Sequence, residues 1–407
     1  MEFAIAPPPP RVTADDLLNV AERAAAMLRL IRDSMVQPEP HKKHPPIFTS
    51  NKVQAICGID KTKFNTLLKS GKLPEGQQES KGKMRKFTLA ETIQWVEATV
   101  KPLKRRKKQK GKIFTVGNFK GGVTKTTTGM NLAQGLVMRR GRRVLYIDLD
   151  PQGSSTVLYG INPNAEIESH QTVLPIIERD KKTGEPLQPN LLYAPMKTYW
   201  DNLDLIPASS DLFNAEFMLP AQVHQNDATF KFWQVLREAL EPLLDEYDYV
   251  VIDTAPTLSY LTINALFAAD SMVVPIVPDI LSYSSMVQFW GLFSELVTGM
   301  KSFSKDGETK SYDSVEVLIS RMPNKPGAQI VNDFIRKTYG SYVTAVEIPE
   351  TDLARTASNE FKTVYDISDY AGSPEAYRRI REPYDRLVDL IDDRTCRFWA
   401  AEELEAA

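Results

Sequence analysis

Cysteine and histidine are scarce: the 407 residues hold two cysteines, Cys57 and Cys396, and four histidines. Two thiols so far apart exclude a disulfide-stapled scaffold and a clustered-cysteine metal centre, and they suit a reducing compartment. Long apolar runs are lacking as well. The best stretch, Leu266 to Leu281, is broken by Asp270 and Ser271, so no membrane-spanning helix is expected. The opening MEFAIAPPPP has neither a basic start nor an apolar core, which predicts no signal peptide. The expected location is therefore the cytoplasm. With 42% hydrophobic residues the chain can build a substantial core, and its length suggests two or three domains.

Net charge is nearly absent, at −2, but that balance conceals a segregation. Residues 1–112 carry 23 Lys and Arg against 11 Asp and Glu, and residues 113–407 carry 27 against 41. A basic front joined to an acidic body predicts that the front meets a polyanion.

The pattern divides the chain into five parts. Residues 1–46 contain a predicted helix over 12–36, with Leu17, Leu18, Ala21, Ala25, Leu28 and Ile31 on one stripe and Thr13 as its N-cap. Its flanks are rich in proline. A single amphipathic helix cannot bury its own stripe, so a second copy or the chain's next domain must cover it. Residues 47–100 read as a small DNA-binding module, with a helix, a turn at Gly58 and a second helix from Lys61 to Ser70. Thr49 and Asp60 are the expected N-caps, and Val53, Ile56, Ile59, Phe64, Leu67 and Leu68 the expected core. The second helix offers Lys61, Lys63, Asn65, Thr66 and Lys69 to a major groove. A basic wing, KGKMRKF, adds Lys83, Arg85 and Lys86 for the phosphate backbone, and a closing helix follows. This module resembles the winged helix-turn-helix of the MerR-like kind. Residues 101–112 hold eight cations and no acid, the composition of an extended linker that can touch phosphates. Residues 113–395 alternate short β-branched runs with helices, which predicts an α/β fold with a doubly wound, mostly parallel sheet. Residues 396–407 form an acidic tail.

The chemistry concentrates in FKGGVTKTTT, residues 119–128, between the first strand of the α/β region and a helix. Gly121 and Gly122 lack a Cβ and let backbone N–H groups of Gly121, Gly122, Val123, Thr124 and Lys125 close on phosphate oxygens. The helix beginning near Lys125 adds its positive end, and Thr127 completes its first turn. Lys125 would reach the β- and γ-phosphates and the Thr126 hydroxyl would ligate Mg²⁺. The ordinary phosphate-loop pattern is broken by Phe119 and Thr124, where glycines belong. The variant K-G-G-x-x-K-[ST] fits, with Lys120 as an additional lysine.

With DLDPQGSS after the second strand, IPASSDL before a middle helix, DTAPTLSYLTINAL after DYVVI, and the late IPETDLARTASNEFKTVYD, the chain resembles the ParA/MinD-type deviant-Walker ATPases. The likeness is to the larger ParA partition ATPases that carry an N-terminal DNA-binding extension. The resemblance implies a P-loop NTPase fold that binds ATP or ADP with Mg²⁺. Lys120 would act across a nucleotide-sandwich homodimer on the partner's phosphates, and Asp150 would orient the attacking water. Asp253, at the end of YVVID, would hold Mg²⁺, and Asp148 would support the metal's shell. Non-specific DNA binding, a dimer that extends into filaments, a ParB-type centromere-binding partner that stimulates slow hydrolysis, and operon autoregulation all follow from the same likeness. Pro349-Glu350 and Leu353 stand where relatives have arginines, so Arg321, Arg336, Arg355 and Lys362 are the substitute candidates for non-specific DNA contact. A nucleotide-switched transcriptional or replication regulator is the alternative. A membrane-cycling role is disfavoured by Glu402, Glu403 and Glu405 in the tail.

Overall fold

The computed structural model describes residues 12–34, 43–78, 80, 83–101, 103–106, 108–225, 230–301, 310–353, 362–367 and 373–405. Helix α1 (Ala14–Ser34) starts at a Thr13 cap, whose hydroxyl accepts from the Asp16 amide at 3.2 Å while the Asp16 carboxylate accepts from the Thr13 amide at 2.8 Å. Its Leu17, Leu18, Met27 and Leu30 are all more than half exposed. The expected cover for this stripe is therefore not supplied by the described body of the same chain.

The front module is built from β1 (Phe48–Thr49), α2 (Ser50–Cys57), α3 (Lys61–Lys69), β2 (Lys86–Phe87) and α4 (Leu89–Thr99). Gly58 ends α2 with φ of 61°, the left-handed cap that glycine adopts without cost. Asp60 caps α3 through the Lys63 amide, and Thr88 with Glu91 forms a reciprocal capping box on α4. Thr49 occupies the expected N-cap position of α2, but its side chain makes no cap hydrogen bond. β2 pairs antiparallel with β1 and also bridges Gln77, so Lys86 and Phe87, at the end of the basic segment, form one arm of a narrow ribbon. Phe64 stacks on Trp95 at 4.5 Å, and both pack on Phe87.

The body holds β3 (Lys112–Val116), α5 (Lys125–Arg140), β4 (Val144–Asp148), α6 (Ser154–Leu158), β5 (Met196–Lys197), β6 (Leu203–Ile206), α7 (Ala215–Gln225), α8 (Val235–Leu240) and β7 (Tyr249–Asp253). It continues through α9 (Tyr260–Ala268), β8 (Ser271–Ile276), α10 (Ile280–Lys301), β9 (Ser314–Met322), α11 (Pro326–Tyr339), β10 (Val343–Pro349) and α12 (Pro374–Glu405). Among the described residues eight strands form one sheet in the order β10-β9-β8-β3-β7-β4-β6-β5, parallel except for the edge pair β5 and β6. Helices cover both faces, so the inner strands β3, β4, β7 and β8 are buried along almost their whole length, Thr115, Asp148 and Asp253 included. Register places Val116, Asp148 and Asp253 side by side at the carboxyl ends of β3, β4 and β7, where open α/β sheets bind ligands.

The basic segment 101–112 keeps Lys101, Lys104, Arg106 and Lys108 exposed, and part of it is seated on the body. The acidic body captures it: Arg105 pairs with Asp248 at 3.0 Å, Lys110 with Asp245 at 2.8 Å, and Lys112 with Glu402 at 2.7 Å and Asp313 at 2.9 Å. The residues read as an acidic tail begin inside α12, and Trp399 is buried with its indole N–H donating to the Lys110 carbonyl at 3.0 Å. The front module shares one apolar cluster with the body: Trp95 and Val96 of α4 belong with Leu132 and Leu136 of α5.

Candidate nucleotide site

The loop between β3 and α5 wraps the floor of a cavity of about 560 Å³, a size ordinary for a small-molecule site. Gly122 has φ of 75°, a conformation glycine reaches without strain. A Cβ built on Gly121 or Gly122 meets nothing within 4 Å, so the loop borders open space at both positions. Thr124 adopts φ of 73° and ψ of 23°, where a β-branched residue is strained. Its carbonyl accepts the Thr128 amide at 2.8 Å and so starts α5. Val123 is buried, its carbonyl held by the Ser320 hydroxyl at 3.1 Å, so the end of β9 clamps the loop from behind.

Gly121, Gly122, Thr124, Lys125, Thr126, Thr127 and Asp150 all line the cavity. The Lys125 ammonium is largely buried and donates to the Lys120 carbonyl at 3.1 Å. Burial lowers its pKa, while Asp253 and Asp150 oppose that shift. The Thr126 hydroxyl donates to Asp253 Oδ2 at 2.6 Å, and Ser155 donates to the same oxygen at 2.7 Å. Asp253 Oδ1 is buried without a partner. An orphaned carboxylate oxygen beside a hydroxyl at the foot of a phosphate loop is the donor set a hard divalent cation uses, directly or through water. Burial pushes the Asp253 carboxyl up to about 6, despite the hydrogen bonds from Thr126 and Ser155.

Asp148 is placed differently from the expectation of a metal-supporting carboxylate. It is fully buried, and its two oxygens accept from the Asp150 amide at 3.2 Å and from the Thr156 amide and hydroxyl at 2.8 Å each. Burial and the neighbouring Asp253 push its pKa up to about 8, against those three donors. The Lys120 ammonium is held outside the cavity lining: it reaches Asp279 at 3.1 Å and Ser282 at 2.7 Å at the start of α10. Asp279 and Ser282 were not foreseen, although an acid directly after an apolar strand and before a helix is a recognisable cap. Ser155 stood unassigned in the DLDPQGSS stretch. Tyr384 and Ile380 of α12 also line the cavity; their positions far along the chain gave no local signal.

The DNA-contact candidates scatter. Lys61, Lys63, Asn65, Thr66 and Lys69 are all exposed on α3, as are Lys83 and Lys86 on the ribbon, while Arg85 turns back to the Glu75 carbonyl at 2.9 Å. Arg321 lines the nucleotide cavity and contacts Glu350 at 3.4 Å. Arg336 is engaged by Glu347 at 2.5 Å, Lys362 is exposed, and Arg355 lies outside the described residues.

Comparison with known proteins accords with this geometry. The family described as an AAA domain matches residues 111–303. The chain is 28% identical over 348 residues to Protein SopA of Escherichia coli, spanning 83% of this chain and 86% of SopA. It is 30% identical over 404 residues to a putative replication protein A of Sinorhizobium fredii, spanning 95% of this chain and 93% of that protein. A solved structure described as a partition protein shares the fold across 95% of this chain and 98% of its own, with a TM-score of 0.66 at 19% identity. With a two-lysine phosphate loop, an acid closing β7 and full-length likeness of this kind, the chain belongs to the ParA/MinD-type ATPases.

Proposed function

We propose that this protein is a DNA-partition ATPase of the large ParA kind. Residues 47–100 act as a winged helix-turn-helix, with α3 as the reading helix and the β1-β2 ribbon as the wing. The loop amides and Lys125 bind the phosphates of ATP, and Asp150 orients the attacking water. Thr126 and Asp253 would hold Mg²⁺, which neutralises phosphate charge when bound. Two copies meet face to face around their nucleotides, bind DNA without sequence preference, and separate after hydrolysis stimulated by a ParB-type protein. The chain works in the cytoplasm on the nucleoid and represses its own operon through the front module.

The observation that carries this reading is the position of Lys120. It is absent from the lining of its own chain's cavity and rests on Asp279 and Ser282 at the edge. A cation kept out of its own site but beside it suits delivery to the phosphates of a second copy. Basal turnover is slow on this reading, because an isolated chain lacks the cation that a loose, charged transition state requires.

Binding to a random duplex and to the protein's own upstream DNA, each with no nucleotide, ADP or a slowly hydrolysed ATP analogue, tests the proposal. Titration at several salt concentrations is needed because phosphate contacts dominate affinity. Random DNA bound only with the ATP analogue, and lost in Lys120→Ala, is the expected result. Binding indifferent to nucleotide would assign all DNA contact to the basic front and favour a regulator. Likeness to a putative replication protein A keeps that second reading in view. Asp150→Ala separates the two, since a pure switch needs binding without turnover.

A further inference from the structure

Asp148 stands directly beside Asp253 in the sheet, fully buried, and both of its oxygens are taken up by protein donors. Three donors converge on it. Asp150 offers its amide to Oδ1, and Thr156 offers both amide and hydroxyl to Oδ2. The Thr156 hydroxyl in turn accepts the Ala208 amide at 3.0 Å, just past β6. The whole segment from Asp150 to Thr156 is thereby anchored at both feet to one buried side chain, and through Thr156 to the neighbouring strand. Ser155 adds a separate tie to Asp253 at 2.7 Å.

We propose that Asp148 is a positioning residue: its carboxyl group fixes the Asp150–Thr156 segment so that Asp150 is presented to the phosphate end of the cavity. The proposal rests on Asp150 acting on the attacking water. The two carboxyl oxygens offer lone pairs for all three donors even when the buried group carries a proton, whereas an amide at this position offers one acceptor oxygen and turns its own N–H groups toward a donor. A loosened segment lets Asp150 wander by an ångström or so, and misplacement of that size costs on the order of 100-fold in rate. Nucleotide affinity is set by the loop and Lys125, which Asp148 does not touch.

The test compares Asp148→Asn, Thr156→Val, Thr156→Ser and Asp150→Ala in the full chain. Steady-state hydrolysis is measured with DNA present, together with the Mg²⁺ half-saturation and the melting temperature. Asp148→Asn is expected to lower kcat by about tenfold or more with KM for ATP and the Mg²⁺ half-saturation held within about threefold. Thr156→Val is expected to follow it in part, while Thr156→Ser keeps the hydroxyl and the rate. A Mg²⁺ half-saturation raised about tenfold, with kcat restored at high Mg²⁺, would make Asp148 a metal-shell ligand and overturn the proposal. So would a drop in melting temperature with kcat unchanged, which is a structural role only. If Asp148→Asn does not fold, Thr156→Val carries the test by the same readouts. Asp150→Ala that turns over like the unaltered chain removes the underlying reading, whereas inactive Asp150→Ala beside fully active Asp148→Asn removes this proposal alone.

Discussion

Thr124 is the residue where chemistry and backbone disagree most openly. Its φ of 73° lies in the left-handed region, in which a β-branched side chain costs about 1–3 kcal/mol and glycine nothing. Replacing it with glycine also frees the unfolded chain and removes the 3.3 Å contact between the Thr124 and Thr128 hydroxyls, which together offset part of the gain. Thr124→Gly is accordingly expected to raise stability by about 1 kcal/mol, read from the urea midpoint, and to alter turnover without abolishing it. Asp253 supplies a second prediction. Its folded-state pKa is raised to about 6, so the carboxyl is protonated below that pH and cannot serve a cation. Nucleotide-dependent Mg²⁺ affinity should therefore strengthen from pH 5 to pH 7 and level off above. Metal-free stability runs the other way. Asp148 and Asp253 both have raised values, so folding favours their neutral forms and the melting temperature in chelator should fall from pH 5 to pH 8.

Among elements, the crossing of α5 with α12 is set by a missing side chain. A Cβ on Gly135 would lie 2.4 Å from Val388 Cγ2 and 2.6 Å from the Tyr365 hydroxyl, both on packed structure. Gly135→Ala must push the two helices apart, at about 1–3 kcal/mol. Because α5 carries the phosphate loop, nucleotide affinity should weaken as well. Gly121→Ala is the contrast: its Cβ meets only open space, so the melting temperature should hold while nucleotide affinity falls. Thermal melts and nucleotide titrations of the two variants check the pair. The elements that carry this chemistry were legible because their signals are local. Lys120 to Thr127 announces a strand-to-helix anion loop by spacing, and β3, β4, β7, β8 and β9 announce themselves as apolar runs. β6 escaped notice because four residues with Asp204 in the middle do not read as a buried strand; Lys197 and Tyr247 satisfy that acid at 2.8 and 2.6 Å. β10 escaped because only alternate residues are buried next to β9. The partners of Asp148 gave no local signal, since the Asp150 amide and the Thr156 amide and hydroxyl reach it from the turn that follows β4.

For the molecule as a whole, the boundary between reader and ATPase is drawn by sequence composition and erased by packing. Charge segregation marked residues 1–112 as a separate basic unit, and its partners could not be seen locally, because Asp248, Asp245 and Glu402 stand more than a hundred residues away. In the folded chain those acids seat the basic segment against the body, and α4 packs onto α5 within one apolar cluster. Gly141, at the end of α5, lies so close to α4 that a Cβ there would be 2.8 Å from Glu97 Cγ. Two units sharing a core open together, since exposing one face exposes the other's apolar side chains to water. Native-state hydrogen exchange should therefore give the amides of α4 and α5 the same opening free energy, within a few tenths of a kcal/mol. Binding of an ATP analogue at the phosphate loop should raise both by the same increment, since a ligand of the closed form stabilises everything that opens with it. Amides of α4 that exchanged through a separate, lower-energy opening, unmoved by nucleotide, would show that the reader is hinged to the ATPase and that the nucleotide reaches it by another route.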